Sequence, residues 1–593
     1  MSILGVGQTG LAAAQVGIQT TGHNITNAST AGYNRQVVVQ TSGGGEQTGA
    51  GFLGQGTNVA SIQRVFDAFT ASRVNTSQSS KAALDIYNGQ ITQIDNLFAD
   101  PSTGLSPSLQ DFFGNLQGLA ANPSGAAQRQ TFLSSAQSLS SRFKSLDGQL
   151  AQISEGLNQQ ISGSVTNINS YAQQIAKLND SIEKATANGS GAVPNDLLDQ
   201  RDQVVAQLSK EVKVTVSDQA GSGYSVSIGN GQPVVVGTTT FTLKTIPSLT
   251  DQSRLQVGYQ SGATLTRIPE SAISGGNLGG LFDFRANSLD GARNELGRVA
   301  AGFASQVNDQ SRLGIDLNGK PGKDIFNVAA PLTTPSSANT GTSTLTAAIS
   351  DATALTASDY RVAYDGTNYQ ITRLKDNTVF TNVTLPNTLD GLTFTATPGA
   401  AVGDNFLVRP TVNAASAINL LLTDKSEIAA AAPIVTAAGA TVPSTNAGNG
   451  QISAGSVDAS YVPLAATVTL TYNAGTPATP TTPATPATLS SSSPAFSQNY
   501  VSGQPITFNG ITFSITGAPV SGDKFTIAPN ISGVGDGRNA VALAALQTAK
   551  IFDGKSNTFA GAFGLLVSNV GNKTHEVAVN AAAEAKQIGR AHV

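Results

Sequence analysis

The chain has 593 residues, of which 12% are charged and 6% aromatic, and its formal net charge is −4. This length allows several domains with ample core, while the lack of a basic excess argues against nucleic-acid binding. No run of about 18 apolar residues occurs, so we expect no membrane-spanning helix. The N-terminus lacks the pattern of a cleaved secretory signal, and the absence of cysteine excludes disulfides and thiolate metal sites.

The first predicted element is a helix whose apolar residues recur at every seventh position. The members of this seam are Leu4, Leu11, Ile18 and Ile25, and small residues stand between them. A repeat of this kind places its members on one helix face, which needs a partner helix to exclude water. Because the intervening glycines and alanines bury little area, we expect the helix to form mainly by packing against another element.

A polar, turn-rich run, NITNASTAGYNRQ at 24–36, predicts a loop after this helix. Two β-rich runs follow at 36–41 and 57–66, and the glycines between them predict a hairpin-like element. We interpret the glycine-rich stretch at 43–56 as a mobile loop. Its glycines do not sit between a strand and a helix with the spacing of a dinucleotide-binding loop.

Helical spacing of apolar residues predicts helices over 69–98, 105–119, 132–182, 196–208 and 278–312. The longest has apolar steps of four and three, which are typical of a coiled-coil seam. Taken alone, that segment favours an ordinary long helical hairpin. An alternating stretch at 212–243 predicts antiparallel strands with a turn at Asn230-Gly231.

Between 327 and 533 the composition shifts to Thr, Ala, Ser, Pro and Gly, and the chain repeats itself. The pattern that begins at Leu392 and reaches Phe406 returns from Ile511 to Phe525, which predicts two related β units. A Thr- and Pro-rich tract at 476–486 interrupts the second, and we expect it to be extended or disordered. This region is either an outward-facing decoration or a tolerated insertion. Helical patterns return at 540–551 and 559–586.

No group of residues has the spacing of a catalytic, cofactor or metal site. The histidines are His23, His575 and His592, and none belongs to a zinc-peptidase motif. Serines lack the nucleophile elbow of hydrolases. The acidic residues of the 196–208 helix and the Arg201 beside them are interpreted as a solvated charged face; they are Asp196, Asp199 and Asp202. We therefore predict a protein that is not an enzyme.

The run at 24–36, directly after an amphipathic N-terminal helix, resembles the N-terminal signature of bacterial flagellar axial proteins. Its GYNRQ ending resembles the hook-associated protein 1 family, whereas hook and rod subunits more often have Phe-Lys after the glycine. Further motifs in the order of that family stand at 51–59, which leads to Arg64, and at 195–202, 275–285 and 571–573. The resemblance covers the residues up to about 330 well and those from about 534 to 587 moderately.

This resemblance implies a structural subunit at the hook–filament junction that polymerises without covalent bonds. The subunit would leave the cell through the flagellar type III export channel without a cleaved signal and become part of the extracellular flagellum. Its implied partners are other copies in a ring, hook subunits, the next hook-associated protein on the filament side and an export chaperone. A secreted adhesin with ligand-binding β repeats is the alternative.

The resemblance also implies an interface. The seam would pack the interior of the tube, and a second set of residues would shape the loop leading outward. The predicted interface residues are Leu4, Leu11, Ile18, Ile25, Asn24, Asn27, Gly32, Tyr33 and Arg35.

We therefore expect a multidomain α+β fold: a long, antiparallel coiled-coil-like helical body with inserted β-rich domains and a terminal helix seam. The expected parts are a terminal helix and loop motif at 1–60, a helical body at 61–326 with a β-rich subdomain near 212–272, a variable region at 327–533 and returning helices at 534–587. Family members continue into a further C-terminal helix that pairs with the N-terminal one. We thus expect the sequence to be C-terminally truncated, with 588–593 as a non-native tail.

Overall fold

The computed structural model describes residues 3–49, 51–100, 104–188, 192–218, 223–439, 446–479 and 483–591. The chain forms two compact units, one of residues 1–95, 151–290 and 570–593 and the other of residues 96–150 and 291–569. Each unit combines helices with antiparallel sheets, which confirms the expected multidomain α+β class. No helix in the described part of the chain is both long and apolar enough to cross a membrane.

The helices follow the apolar periodicity of the sequence. They are α1 Ile3–Thr26, α2 Ala68–Ala99, α3 Leu105–Ala121, α4 Ala126–Asn188, α5 Asn195–Glu211, α6 Gly276–Phe284, α7 Asp290–Arg312, α8 Ala414–Ala417, α9 Arg538–Ala545 and α10 Phe559–Ala591. The predicted helix over 278–312 is interrupted by a π-helical segment, Arg285–Leu289, which joins α6 to α7. The last helix continues beyond the predicted end at 586 into the expected tail, whose final residues, 592–593, lie outside the described ranges.

The described residues of the first unit form four small antiparallel sheets. Their strands are β1 Gln36–Ser42, β2 Gly45–Thr48, β3 Gly51–Gly54, β4 Thr57–Arg64, β5 Val214–Asp218, β6 Tyr224–Ile228, β7 Gln232–Val236, β8 Thr239–Thr240, β9 Thr242–Pro247, β10 Leu255–Ser261 and β11 Thr264–Ile268. The sheets pair β1 with β4, β2 with β3, β5 to β8 in sequence order, and β10 between β9 and β11.

The interpretation of 43–56 as a mobile loop was wrong, because β2 and β3 form a second hairpin there. Glu46 pairs with Leu53 and Gln47 with Phe52, so the backbone groups of the glycine-rich stretch bond to each other. Gly51, with a φ of 118°, supplies the backbone conformation that an ordinary residue rarely adopts. The apolar residues Phe52 and Leu53 between the glycines were the sequence signal for a strand here.

The core of the first unit is built on the α4 segment that belongs to it and on α5. Asn179 of α4 donates its Nδ2 to the carbonyl oxygens of Tyr224 at 3.0 Å and Gly237 at 2.7 Å, which fastens the β5–β8 sheet to the helix. Gly276 begins α6 with a φ of 61°, and a Cβ at this position would lie 2.2 Å from the backbone nitrogen of Val212. This close approach accounts for the glycine pair in the 275–285 motif.

The second unit has an aromatic core and two β units. Phe112 lies 5.2 Å from Phe303 between ring centres, and Phe303 lies 5.3 Å from Phe559, all fully buried. The strands of the β units are β12 Leu332–Pro335, β13 Leu345–Ile349, β14 Tyr360–Tyr364, β15 Tyr369–Arg373, β16 Thr378–Val383, β17 Asn387–Leu389, β18 Leu392–Ala396, β19 Asn405–Arg409, β20 Ile434–Ala438, β21 Gln451–Ile452, β22 Ser456–Val457, β23 Val468–Asn473, β24 Thr488–Ser492, β25 Ala495–Asn499, β26 Ile506–Phe508, β27 Ile511–Phe513, β28 Ile515–Thr516 and β29 Lys524–Pro529.

The two β units share one topology. The first has a sheet in the order β12-β19-β14-β15-β16, and the second repeats that order as β20-β29-β23-β24-β25. Asp404 accepts a hydrogen bond from the backbone of Gly341 at 3.2 Å, and Asp523 does the same from Gly448 at 3.1 Å. The Thr- and Pro-rich tract connects β23 to β24, and its residues 480–482 lie outside the described ranges.

Candidate subunit interface

The apolar seam of α1 is exposed along its whole length. Relative exposure is 80% for Leu4, 72% for Leu11, 74% for Ile18 and 71% for Ile25. The opposite side of the helix, which includes the buried Ala13, packs against β1 and β4. The helix therefore packs within the chain through Ala13 and Thr20 and presents its large apolar residues outward, while Gly7, Gly10, Ala12 and Ala14 are also exposed.

Asn24 closes the loop at the end of α1. Its Oδ1 accepts hydrogen bonds from the Tyr33 hydroxyl at 2.7 Å and from the Gln36 backbone N–H at 2.8 Å. Its Nδ2 donates to the Gln36 carbonyl oxygen at 2.8 Å. The His23 Nδ1 lies 3.1 Å from the same Tyr33 hydroxyl. One amide thus joins the end of the helix, the loop and the start of β1, which fixes the direction in which the chain leaves α1.

The other predicted loop residues contribute through one side-chain hydrogen bond and through the backbone. Asn27 donates its Nδ2 to the carbonyl oxygen of His23 at 3.1 Å, which ends the helix. Gly32 has a φ of 83°, and a Cβ there would lie 2.9 Å from the side chain of Gln203. The side chain of Arg35 is exposed, and its carbonyl oxygen accepts the backbone N–H of Val65 at 2.8 Å.

A set of residues that we call the α5 latch holds the loop and the hairpin to the body; it consists of Asn34, Arg64, Asp199 and Asp202. Asp199 accepts the backbone N–H of Asn34 at 2.8 Å, the Nδ2 of the same residue at 2.7 Å and an Arg64 guanidinium N–H at 3.0 Å. Arg64 also donates to Asp202 at 2.6 Å. The latch therefore restrains the loop and β4 together.

The electrostatics of the latch follow from its burial. The side chains of Arg64, Asp199 and Asp202 are 11%, 6% and 17% exposed. Burial acts to lower the pKa of the Arg64 guanidinium, but Asp202 and Asp199 outweigh it and raise that pKa. The same guanidinium lies 4.2 Å from the centre of the Phe66 ring. Burial, with help from the charge of Asp196, raises the pKa of the Tyr33 hydroxyl.

The prediction that the acidic residues of α5 form a solvated face was wrong for most of them. Asp199 and Arg201 are buried and Asp202 is partly buried, while Asp196 alone of the four is exposed. Arg201 packs over the ring of Tyr224 at 3.2 Å, and Asp202 and Asp199 pair with an arginine far away in sequence. Such partners cannot be found from spacing along one helix.

The loop cavity, of about 730 Å³, opens between the loop and the facing sides of α4 and α5. Leu178, Leu197 and Val204 supply apolar surface, and the rings of His23 and Tyr33 stand beside them in an edge-to-face contact at 5.5 Å. In the ranges described, no three His, Asp or Glu side chains lie close enough to hold a metal ion. His23 Nε2 lies 3.8 Å from Asp196, His575 is exposed on α10, and His592 lies outside those ranges.

Two family models match the chain. One, described as the flagellar hook-associated protein FlgK helical domain, covers residues 91–326, and the other, described as the flagellar hook-associated protein 1 D2-like domain, covers residues 334–410. The matched regions include α4, α5 and the first β unit. The chain is thus of the flagellar hook-associated class.

Individual relatives identify the family within this class. The chain is 40% identical over 435 residues to flagellar hook-associated protein 1 of Salmonella typhimurium and 38% identical over 436 residues to that of Escherichia coli K12; each alignment covers 72% of this chain and 79% of the relative. The structure of the flagellar hook junction protein FlgK from Burkholderia pseudomallei matches with a TM-score of 0.78 and 34% identity, covering 88% of this chain and 98% of that one. The chain therefore belongs to the flagellar hook-associated protein 1 family.

Proposed function

We propose that this chain is a structural subunit of the bacterial flagellum at the junction of hook and filament, and that it polymerises through α1. Membership of the hook-associated protein 1 family supports the location, since a relative of similar fold is described as a hook junction protein. The observation that carries the mechanism is the exposed seam. The adhesin alternative gains no support from the relatives.

Burial of the seam would supply a large part of the free energy that assembly needs. Burying one large aliphatic side chain stabilises a protein by roughly 1.5–3 kcal/mol. Covering the four seam residues with a partner would therefore contribute about 6–12 kcal/mol. Association costs an estimated 4–15 kcal/mol in lost translational and rotational freedom, which this burial offsets in large part. Contacts repeated around a ring supply the remainder.

The loop residues and the latch set the direction of α1. A helix that joins a ring must leave the body at one angle, and Asn24 with the α5 latch fixes that angle through bonds to Gln36 and Arg64. The function is mechanical and requires no catalytic group. We propose as partners other copies of the chain, hook subunits, the next hook-associated protein and an export chaperone, and as location the extracellular flagellum.

We also propose that 1–60 acts as the assembly segment, 61–326 and 534–587 as the body, and 327–533 as an outward decoration. Immunogold electron microscopy of flagella from the source bacterium tests the location: we expect label only at the boundary of hook and filament. Label along the whole filament, or absence from flagella, contradicts the proposal. Chromosomal deletion of 327–533 separates it from the adhesin alternative: motility survives if the protein is a structural subunit, whereas binding to a surface ligand disappears if it is an adhesin.

A further inference from the structure

His23 lies in the last turn of α1, where the helix passes into the loop. Its Nδ1 lies 3.1 Å from the Tyr33 hydroxyl, and its Nε2 lies 3.8 Å from a carboxylate oxygen of Asp196 on α5. The ring therefore meets the loop on one side and the body on the other. Both contacts depend on which ring nitrogens carry a proton, because a protonated nitrogen donates and a bare one accepts.

The backbone of Gln36 fixes the orientation of the Asn24 amide. The Gln36 N–H can only donate, so the Asn24 atom that it meets at 2.8 Å is Oδ1. The Gln36 carbonyl oxygen can only accept, so its partner at 2.8 Å is Nδ2. The Tyr33 hydroxyl lies 2.7 Å from the same Oδ1. Because Oδ1 carries no hydrogen, the hydroxyl must donate its single proton there.

This bond determines which nitrogen of His23 is protonated. Burial, with the charges of Asp196 and Asp199, raises the pKa of the Tyr33 hydroxyl, which therefore keeps its one proton and spends it on Asn24. The Tyr33 oxygen is then an acceptor toward His23. The proton in the 3.1 Å contact must come from His23 Nδ1. A neutral ring with its proton on Nδ1 has a bare nitrogen at Nε2.

Two features of the structure favour a second proton, on Nε2. Without it, a nitrogen lone pair and the Asp196 carboxylate face each other as two acceptors; with it, the same 3.8 Å approach is an ion pair. The last turn of α1 also presents the negative end of the helix dipole, which interacts favourably with an imidazolium. No other charged side chain stands on α1 to compete for that end.

The remaining charged and titratable groups around the ring lie on the loop, α4 and α5. Among the described residues they are Tyr33, Arg35, Lys177, Asp199 and Asp202. Lys177 lines the loop cavity and opposes a charge on the ring, while Asp199 and Asp202 are already paired with Arg64. The side chain of Arg35 is exposed. Asp196 is therefore the carboxylate that answers the proton on His23.

We propose that His23 is a positioning residue that closes the loop when its ring is doubly protonated. Nδ1–H holds Tyr33, and through it Asn24, while the proton on Nε2 ties the ring to Asp196 of α5. Histidine changes its charge between about pH 5 and pH 8, so mild acid strengthens the loop and a rise in pH releases Asp196. This clamp is a property of the single chain. Its consequence for the direction of α1 in a ring rests on the proposed function.

The tautomer can be measured in the wild-type protein. The histidines are His23, His575 and His592, so nitrogen-15 labelling of histidine gives few signals, and His23→Gln identifies those of His23. At about pH 8 a two-bond proton–nitrogen spectrum should show Nδ1 as the protonated nitrogen and Nε2 as the bare one. A ring with its proton on Nε2 at that pH overturns the proposal.

The clamp itself is measured by hydrogen–deuterium exchange of the 24–36 peptide in dilute protein, corrected for the intrinsic pH dependence of exchange. In the wild type we expect protection about two- to fivefold greater at about pH 5.5 than at about pH 8. Asp196→Asn can still accept the bond from Gln36 but has no charge, and it should remove most of this difference. His575→Gln, at an exposed position of α10, is the matched control and should keep it.

The same pH profile in the wild type and in Asp196→Asn overturns the proposal. Both measurements use the unassembled chain, so their outcome does not depend on where the protein sits in the cell. Immunogold label away from the junction rejects the proposed function and leaves the clamp standing, whereas a proton on Nε2 or a profile indifferent to Asp196 rejects the clamp alone.

Discussion

Replacing Asp199 with alanine should open the loop without unfolding the body. The carboxylate accepts three hydrogen bonds, two from Asn34 and one from Arg64, and it is almost fully buried. A hydrogen bond to a charged group contributes about 1.5–3 kcal/mol, and removing one partner of a buried ion pair costs about 3–5 kcal/mol. Because Arg64 keeps Asp202, we take the lower end, about 3 kcal/mol, which corresponds to a roughly 150-fold larger open population.

Hydrogen–deuterium exchange of peptides covering 23–42 and 57–66 measures this opening. The backbone N–H groups of Asn34, Gln36 and Val65 should exchange faster by that factor, while peptides from α6 and α7 stay protected. Asp196→Ala is the matched control on the same helix. Its side chain is 59% exposed and accepts one bond from Gln36, so we expect less than about 1 kcal/mol. If both variants exchange alike, the latch does not hold the loop.

Three further changes give defined outcomes. Gly276→Ala should lower the stability of the first unit by about 1–3 kcal/mol, because φ is 61° and the added Cβ would lie 2.2 Å from the backbone nitrogen of Val212. Denaturant unfolding measures this loss, and an unchanged unfolding midpoint contradicts it. Asp147→Asn should raise stability at pH 7 on the order of 1 kcal/mol, because burial raises the pKa of this carboxyl more than Arg293, 3.8 Å away, lowers it. The wild-type chain alone should then gain stability as the pH falls through the raised pKa, and a variant less stable at pH 7 refutes the sign. Excision of 434–529, with a two-glycine link in its place, should leave the melting temperature of the remaining chain unchanged. The cut ends are adjacent, because the Asn530 N–H donates to the Pro433 carbonyl oxygen at 2.8 Å. A lower melting temperature of the remaining chain would show that 434–529 is not an independent insertion.

Local patterns predicted what depends on neighbours along the chain. The spacing of the apolar residues predicted the helices, and α2 ends at Ala99, one residue beyond the predicted end at 98 and directly before the sequence Asp100-Pro101. The strand alternation around Asn230-Gly231 corresponds to β6 and β7, with Gly231 at a φ of 98°. The internal repeat from Leu392 and from Ile511 corresponds to two units of the same strand order. In each case the relevant contacts lie within a short stretch of chain.

Such local patterns could not predict the α5 latch. Asp199 meets Asn34 and Arg64 across separations of 165 and 135 residues, and no periodicity reports contacts of that range. The charges on α5 looked like a solvated face because isolated helices usually place charges outward. Arg64 and residues 195–202 belong to two motifs of the same family. Their joint presence indicated a shared role, but it did not indicate that they are in contact.

The most direct test of the account is a charge placed on the seam. Leu11→Asp with Ile18→Asp, introduced into the chromosomal gene, is compared with Gln19→Asp and Thr21→Asp, which add the same charges at exposed polar positions of α1. The quantity measured is the fraction of cells with filaments attached to hooks, with circular dichroism of the purified proteins as the folding control. We expect the seam variant to fold normally and to lose attached filaments, and the control variant to keep them. Attached filaments at the wild-type frequency in the seam variant would contradict it.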